Sequence, residues 1–392
     1  MATIAASPSA LHAAHERVQG VPWYLWCSAL AVTSACVGLQ WDISWHRSVG
    51  RDTFWTPAHL AIQFCGILAG IVCGYLILHT TFAKESRVRA TSVRVLGFRG
   101  PLGAFIAAWG GLAMIVSAPF DNWWHDAYGL DVKIVSPPHT LLALGILGVC
   151  LGSLVLILGA MNRAEGAARK RLEWMFLYVS GMIFLLAQLF IMESLLVVWK
   201  HTSGPYRVLA LVCPALFAGA AFTFKTGRRF PATTVATIYL AVIFGLTIIL
   251  PLFPAQPKLG PVYQNITYFV PPPFPPLVIV PALALDLLWI RARHWNVWLL
   301  SAATAVVFVA FMLVADWNMA AFILHSKLGQ ARFFHVGYLD YGTPLTTRYS
   351  RREFLSESPA AFWTGMAWAT VYAFLSARIG IARGIWMQKV KR

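Results

Sequence analysis

The sequence predicts an all-α fold, a polytopic transmembrane helical bundle with about ten spans, and three observations lead to this expectation. Hydrophobic residues make up 58% of the 392-residue chain and charged residues only 12%, whereas a soluble domain carries about a quarter charged residues. The mean hydropathy is +0.65. Apolar runs of about 20 residues, each long enough to cross a hydrocarbon core of about 30 Å, recur along the whole chain. These features exclude an ordinary soluble domain.

The elements follow in chain order from a polar start. Residues 1–21 lack the compact basic start, the short apolar core and the small-residue cleavage site of a secretory signal peptide. They are therefore predicted to form a cytoplasmic N-terminal tail, and the first span is expected to be retained. The predicted spans are 22–41, 57–82, 101–120, 138–161, 174–199, 206–224, 231–253, 274–290, 295–317 and 360–379.

The basic residues predict the orientation of these spans. Most of the 31 lysines and arginines fall at the two ends and in the connections after even-numbered spans, and basic connections stay on the cytoplasmic side. Both termini are therefore predicted to be cytoplasmic, in a bacterial inner membrane. The net charge of +16 is explained by topology and by an anionic inner leaflet. It does not predict nucleic-acid binding.

A polar stretch occurs twice within the first four spans. "WDISWHRSVGRDTFWTPAH" covers 41–59, and "FDNWWHDAYGLDVKIVSPPH" covers 120–139. Each copy joins two apolar helices, and both run in the same direction, so residues 22–161 are predicted to be a tandem duplication. Asp42, Trp45, His46, Gly50, Asp52, Pro57 and His59 match Asp121, Trp124, His125, Gly129, Asp131, Pro137 and His139, with one residue inserted before the last two pairs.

The spacing within each copy predicts a metal site. Asp42 and His46 lie four residues apart, on one face of a helical end, about 5–6 Å apart at Cβ. His59 begins the next helix two residues after Pro57, a residue suited to a first helical turn. A hairpin would bring two histidines and one carboxylate together, and such a set holds a divalent metal with open positions for water, dioxygen or substrate. The matching residues of the second copy are Asp121, His125 and His139.

Less specific interpretations of these residues stay open. Histidines at a membrane interface also act as anchors, in proton relays or in salt-bridge networks. The tryptophans of the two stretches are typical of an interfacial belt. If the metal sites exist, Asp52 and Asp131 are expected to accept a hydrogen bond from a ligand imidazole and so fix its tautomer.

At these residues the sequence resembles the C subunit of the copper membrane monooxygenases, the particulate methane and ammonia monooxygenases. The family's motif has aspartate, tryptophan–histidine, arginine–aspartate–threonine and proline-x-histidine at this spacing, and the resemblance implies that Asp42, His46 and His59 are metal ligands. A second site of the family has an asparagine, a histidine four residues later and another histidine fourteen residues after that. Asp121, His125 and His139 reproduce that spacing with aspartate in place of asparagine. The resemblance covers about residues 30–150.

The resemblance implies copper as the cofactor. It also implies the first function hypothesis, that the chain is a membrane-bound, monooxygenase-like oxidoreductase that uses dioxygen on a small apolar or amphiphilic substrate. The predicted topology places the metal sites of this hypothesis on the periplasmic side. The ligand set alone also suits iron or zinc. The alternatives are a non-enzymatic protein for copper or zinc transport or delivery, and a structural metal-bearing subunit of a larger complex. Other membrane subunits or a second copy of the chain are possible partners.

The second half, residues 172–392, is predicted to form six spans with two long outer connections. The first connection, 253–276, is rich in proline and aromatic residues, which favours a stiff extended segment. Intramembrane acids are functional candidates by default, and Glu193 and Asp286 are such residues. The chain has no Walker, dinucleotide-binding or serine-nucleophile motif, so ATP-driven transport and hydrolase chemistry have no support.

Overall fold

The computed structural model describes residues 20–50, 53–83, 88–129, 136–225, 228–329, 334 and 339–391. Within them the protein is mostly helical with almost no strand, which confirms the predicted all-α class. Ten helices have 14 residues or more in the described part. The elements are α1 (Trp23–Ser48), α2 (Pro57–Phe82), β1 (Val93–Val95), β2 (Phe98–Gly100), α3 (Leu102–Tyr128), α4 (Pro137–Met161), α5 (Gly166–Leu189), α6 (Ser203–Ala221), α7 (Pro231–Ile249), α8 (Ile279–Ala292), α9 (Val297–His325), α10 (Arg348–Arg351) and α11 (Pro359–Met387), with 3-10 turns at Arg89–Thr91, Met192–Leu195, Val197–Trp199 and Leu250–Leu252.

Eight of these helices are long and apolar enough to cross a membrane, namely α2 to α7, α9 and α11. Length and composition therefore make the chain an integral membrane protein. The helix α8 has 14 residues and rises only about 21 Å, less than a hydrocarbon core of about 30 Å. The helix α1 is long enough at 26 residues, but polar side chains interrupt its apolar stretch.

Several helix bounds differ from the predicted spans. The helices α1 and α3 run past 41 and 120, to Ser48 and Tyr128. A glycine with positive φ follows each helix within two residues, +80° at Gly50 and +85° at Gly129, and residues with a Cβ rarely adopt this conformation. The helix α8 begins at Ile279 and not at 274, because the preceding prolines lack the N–H that a helix needs. The two-stranded β1–β2 hairpin was not predicted.

The helix α5 also differs from its predicted span. It covers Gly166–Leu189 and is followed by two 3-10 turns, where the sequence predicted one continuous helix over 174–199. The segment between α5 and α6, residues 190–202, is therefore irregular where the last part of a continuous span was expected. Its last turn brings Lys200 and His201 to the start of α6.

Contacts divide the chain into two compact units. Unit 1 contains the described parts of 1–35, 59–179 and 389–392, and its core is the close pair α3–α4. A Cβ added to Gly110 would lie 2.6 Å from the backbone oxygen of Gly145 and 2.6 Å from the nitrogen of Val149. Small residues of this kind let membrane helices approach at backbone distance.

Unit 2 contains 36–58 and the described parts of 180–388. Its core includes the pair α6–α11, in which Ser376 Oγ donates to Leu211 O at 2.8 Å and accepts from Ala215 N at 2.9 Å. In the same unit the buried carboxylate of Asp286 on α8 accepts from the backbone nitrogens of Ala232 and Thr233. Asp286 therefore satisfies free N–H groups at the start of α7, which is a structural role.

Candidate metal centre

The first candidate site lies in the hairpin between α1 and α2. Asp42 and His46 lie in the last two turns of α1, and His59 is the third residue of α2. The Nε2 atom of His46 is 3.8 Å from Asp42 Oδ2, with side chains 47% and 18% exposed respectively. The helix extends far enough to carry both residues because the chain has no glycine or proline between Leu39 and Val49.

Asp42 and His46 belong to unit 2, and His59 belongs to unit 1. Within unit 2, Asp42 and His46 present a carboxylate and an imidazole on one face of α1. Together with a second imidazole, this donor set would fit a divalent metal. That His59 supplies the second imidazole stays a prediction.

The second candidate site lies within unit 1, at the matching positions of α3 and α4. Each carboxylate oxygen of Asp121 lies near one histidine. His125 Nε2 is 3.4 Å from Oδ2, and His139 Nε2 is 3.5 Å from Oδ1. No hydrogen bond reaches the buried Oδ1 atom from the described residues. Buried polar atoms normally have such a partner, so this oxygen is available as a ligand.

Local structure orients both histidines of this second site. The Nδ1 atom of His125 is 3.3 Å from the carbonyl oxygen of Gly129, the glycine that ends α3. A proton on Nδ1 satisfies this carbonyl and leaves the Nε2 lone pair facing Asp121, the arrangement that metal-binding histidines use. Ser136 caps α4 by accepting from His139 N at 3.4 Å, which fixes where His139 enters the helix.

The proline-rich segment 253–278 packs on the end of α1 that carries Asp42 and His46, all within unit 2. Ser44 Oγ donates to Val270 O at 2.6 Å, and Val270 N donates to Ser48 Oγ at 2.7 Å. Arg47 Nη1 donates to Pro271 O at 3.3 Å. The extended segment is therefore more than a connector, because it binds three polar side chains near the C-terminal end of α1.

A second contact to this helix end comes from the turn after α9. Tyr341 N donates to Arg47 O at 3.2 Å, and its carbonyl accepts from Tyr263 N at 2.7 Å. The guanidinium of Arg47 lies 4.0 Å from the carboxylate of Asp340. Gly50 has no room for a side chain, because a Cβ there would meet the ring of Tyr341. These contacts restrict the helix turn that presents His46.

Some predicted functional residues fall outside this description. Asp52 and Asp131 lie outside the described residues, and the side chain of Glu193 is likewise not described. The roles expected of Asp52 and Asp131 therefore stay predictions.

Sequence reasoning missed one ionisable pair in unit 2. Lys200 Nζ lies 3.4 Å from Asp316 Oδ2, and the two side chains are 0% and 1% exposed. The available signal in the sequence was a lysine directly after one predicted span, 174–199, and an aspartate inside another, 295–317. Beside them, the ring of His201 stacks between Trp317 and Phe354, with centroid distances of 3.9 and 3.6 Å. Burial lowers the pKa of His201, so this histidine is neutral at pH 7.

Comparison of the chain with protein-family models, with curated proteins and with solved structures finds no match. The resemblance of residues 30–150 to a copper monooxygenase subunit therefore rests on the quoted motif alone.

Proposed function

We propose that this chain is an integral membrane metalloprotein with two sites of two histidines and one carboxylate, and that it oxidises a small apolar or amphiphilic molecule with dioxygen. The observation that carries the proposal lies in unit 1, where His125 Nε2 is 3.4 Å from one carboxylate oxygen of Asp121 and His139 Nε2 is 3.5 Å from the other. These three residues form one proposed site, the matching residues Asp42, His46 and His59 form the other, and copper is the proposed metal in both.

The residues of the chain have distinct tasks in this proposal. The imidazole Nε2 atoms bind the metal, and the carboxylate of Asp42 or Asp121 supplies the negative charge that a divalent ion favours. A metal ion with open positions would bind and activate dioxygen. The carbonyl of Gly129 orients His125 by accepting a hydrogen bond from its Nδ1–H. The contacts of Ser44, Arg47 and Ser48 hold the end of α1 that carries His46.

Large apolar side chains beside both sites support the choice of an apolar substrate. Trp55 is 73% exposed and Trp123 is 55% exposed, next to the first and second site in sequence. Exposed aromatic residues at helix ends lie at the membrane interface. A small apolar molecule concentrates in the bilayer and would reach the sites from there.

Matching positions in the two hairpins support the proposed duplication. His46 and His125 both lie in the last turn of a helix, and His59 and His139 are both the third residue of the next one. With a duplicated module and α1 and α8 counted as membrane helices, the chain has ten spans. The charge distribution then supports cytoplasmic termini and metal sites on the periplasmic side of an inner membrane. Further subunits or a second copy of the chain complete the proposed assembly.

Oxygen-18 incorporation tests the proposed activity. Membranes containing the full chain, supplied with copper, a quinol as a two-electron donor and ¹⁸O₂, are expected to place ¹⁸O in the product of a short alkane. The reaction consumes two electrons and two protons, and the second oxygen atom leaves as water. His46→Ala should abolish the label by removing a ligand, whereas the matched control His79→Ala, which stacks on Tyr75 away from both sites, should keep it. A metal-loaded wild type that incorporates no label would refute the oxidoreductase.

A further inference from the structure

A cleft of about 430 Å³ opens between α6 and α11 in unit 2. Both helices begin there, α6 at Ser203 and α11 at Pro359. Ser203, Arg207 and Glu357 line its polar part, and Gly365 and Trp368 line its apolar part. Trp368 lies nine residues after Pro359, about 14 Å along the helix. The cleft therefore runs from the helix ends into the apolar part of the span.

Arg207 brings a positive charge to this cleft that the described protein does not neutralise. Its side chain is exposed, in the second turn of α6, and forms no ion pair or hydrogen bond with the described residues. Arginine stays charged in proteins, and a charged side chain on a membrane helix needs a partner. Its planar donors suit the oxygens of a phosphate group.

Glu357 brings a negative charge to the same cleft. Its Oε2 accepts from Ser203 N at 2.6 Å, and its Oε1 accepts from Ser203 Oγ at 3.0 Å. Both donors are neutral, and no lysine or arginine of the described residues forms an ion pair with this carboxylate. Each oxygen keeps a further lone pair for a donor from outside the protein. The cleft thus presents one cation and one anion, and neither forms an ion pair with a described residue.

We propose that this cleft binds a phospholipid with a phosphoethanolamine headgroup. The phosphate pairs with Arg207, the ammonium group donates to Glu357, and the upper part of an acyl chain lies along Gly365 and Trp368. A phosphatidylglycerol headgroup has no cation for Glu357 and is repelled by it. A phosphocholine headgroup has a cation without N–H donors. Free phosphate leaves the apolar part of the cleft unfilled. The site is independent of the metal sites.

Native mass spectrometry of the full chain tests this assignment. Delipidated protein in detergent is titrated with phosphatidylethanolamine and phosphatidylglycerol of the same acyl chains. We expect the wild type to prefer phosphatidylethanolamine by about tenfold, which corresponds to about 1.4 kcal/mol. Arg207→Gln should weaken both lipids, and Arg207→Lys should keep the preference because it keeps the charge.

Glu357→Gln is the decisive variant. The amide oxygen still accepts from Ser203, so the fold is retained, but the charge is lost. Phosphatidylethanolamine should then lose its advantage while phosphatidylglycerol binds more tightly than to the wild type. Arg351→Gln, which breaks an exposed ion pair with Glu353 elsewhere, is the control and should change neither lipid. Equal binding of both lipids by the wild type would overturn the proposal, and pairing of Arg207 with Glu357 would give that result. An unchanged lipid preference in Glu357→Gln would also overturn it.

Discussion

Replacing Asp316 with alanine is expected to lower the free energy of unfolding by about 3–5 kcal/mol, the cost of leaving one member of a buried ion pair without its partner. Asp316 Oδ2 is the ion-pair partner of Lys200 Nζ, which lies 3.4 Å away, and both side chains are fully buried. The other oxygen, Oδ1, accepts from Leu277 N at 2.9 Å. Asp316→Ala would thus leave a buried ammonium group without its counter-charge and a partly buried backbone N–H without its acceptor.

Denaturant unfolding of the detergent-purified protein measures this effect, and a double variant provides the control. Lys200→Met combined with Asp316→Asn removes both charges, nearly keeps both side-chain volumes and leaves an amide oxygen to accept from Leu277 N. It is therefore expected to be far closer to the wild type than Asp316→Ala is, because removing both charges of a buried pair costs less than removing one. If Asp316→Ala unfolds at the same denaturant concentration as the wild type, the pair contributes nothing to stability and our description of unit 2 is wrong.

Gly110→Val is the second change with a large expected effect. It should lower the free energy of unfolding by about 3 kcal/mol. A Cβ at Gly110 would lie 2.6 Å from two backbone atoms of α4, and backbone cannot rotate away as a side chain does. The helices α3 and α4 must therefore separate. Because α3 carries Asp121 and His125 and α4 carries His139, the distances within the second site should lengthen as well.

Gly74→Val on α2 is the matched control for this overpacking. A Cβ at Gly74 meets no atom within 4 Å, while the change in helix propensity is the same. Thermal unfolding of both variants should show a large loss for Gly110→Val and a small one for Gly74→Val. Equal losses would mean that valine acts through propensity alone and that α3 and α4 are not packed at backbone distance.

The sequence predicted the features that depend on local pattern. Apolar length alone predicted the membrane helices, since each span carries its own signal. The i, i+4 spacing of aspartate and histidine placed Asp42 with His46 and Asp121 with His125, and the structure brings each pair within 4 Å. The positions of Pro57 and Pro137 at the start of the following helices were also readable, because proline suits a first helical turn.

Features that depend on distant contacts could not be predicted. Ser44 and Ser48 bond to Val270, more than two hundred residues further along the chain, and no local pattern specifies that partner. Asp286 was a functional candidate because it is an acid within a predicted span, but it binds the start of α7, because a buried carboxylate is satisfied by whichever donors the packing supplies. The same holds for Lys200 and Asp316.

Metal content is the measurement that tests the proposed metal sites most directly. The full chain, purified in detergent and loaded with copper, is analysed by elemental analysis and X-ray absorption. We predict two equivalents of metal, each with two imidazole ligands, falling to one in His46→Ala and to one in His125→Ala, while His79→Ala keeps both. A metal content that both ligand variants leave unchanged would contradict the assignment of Asp42, His46, His59, Asp121, His125 and His139 as ligands.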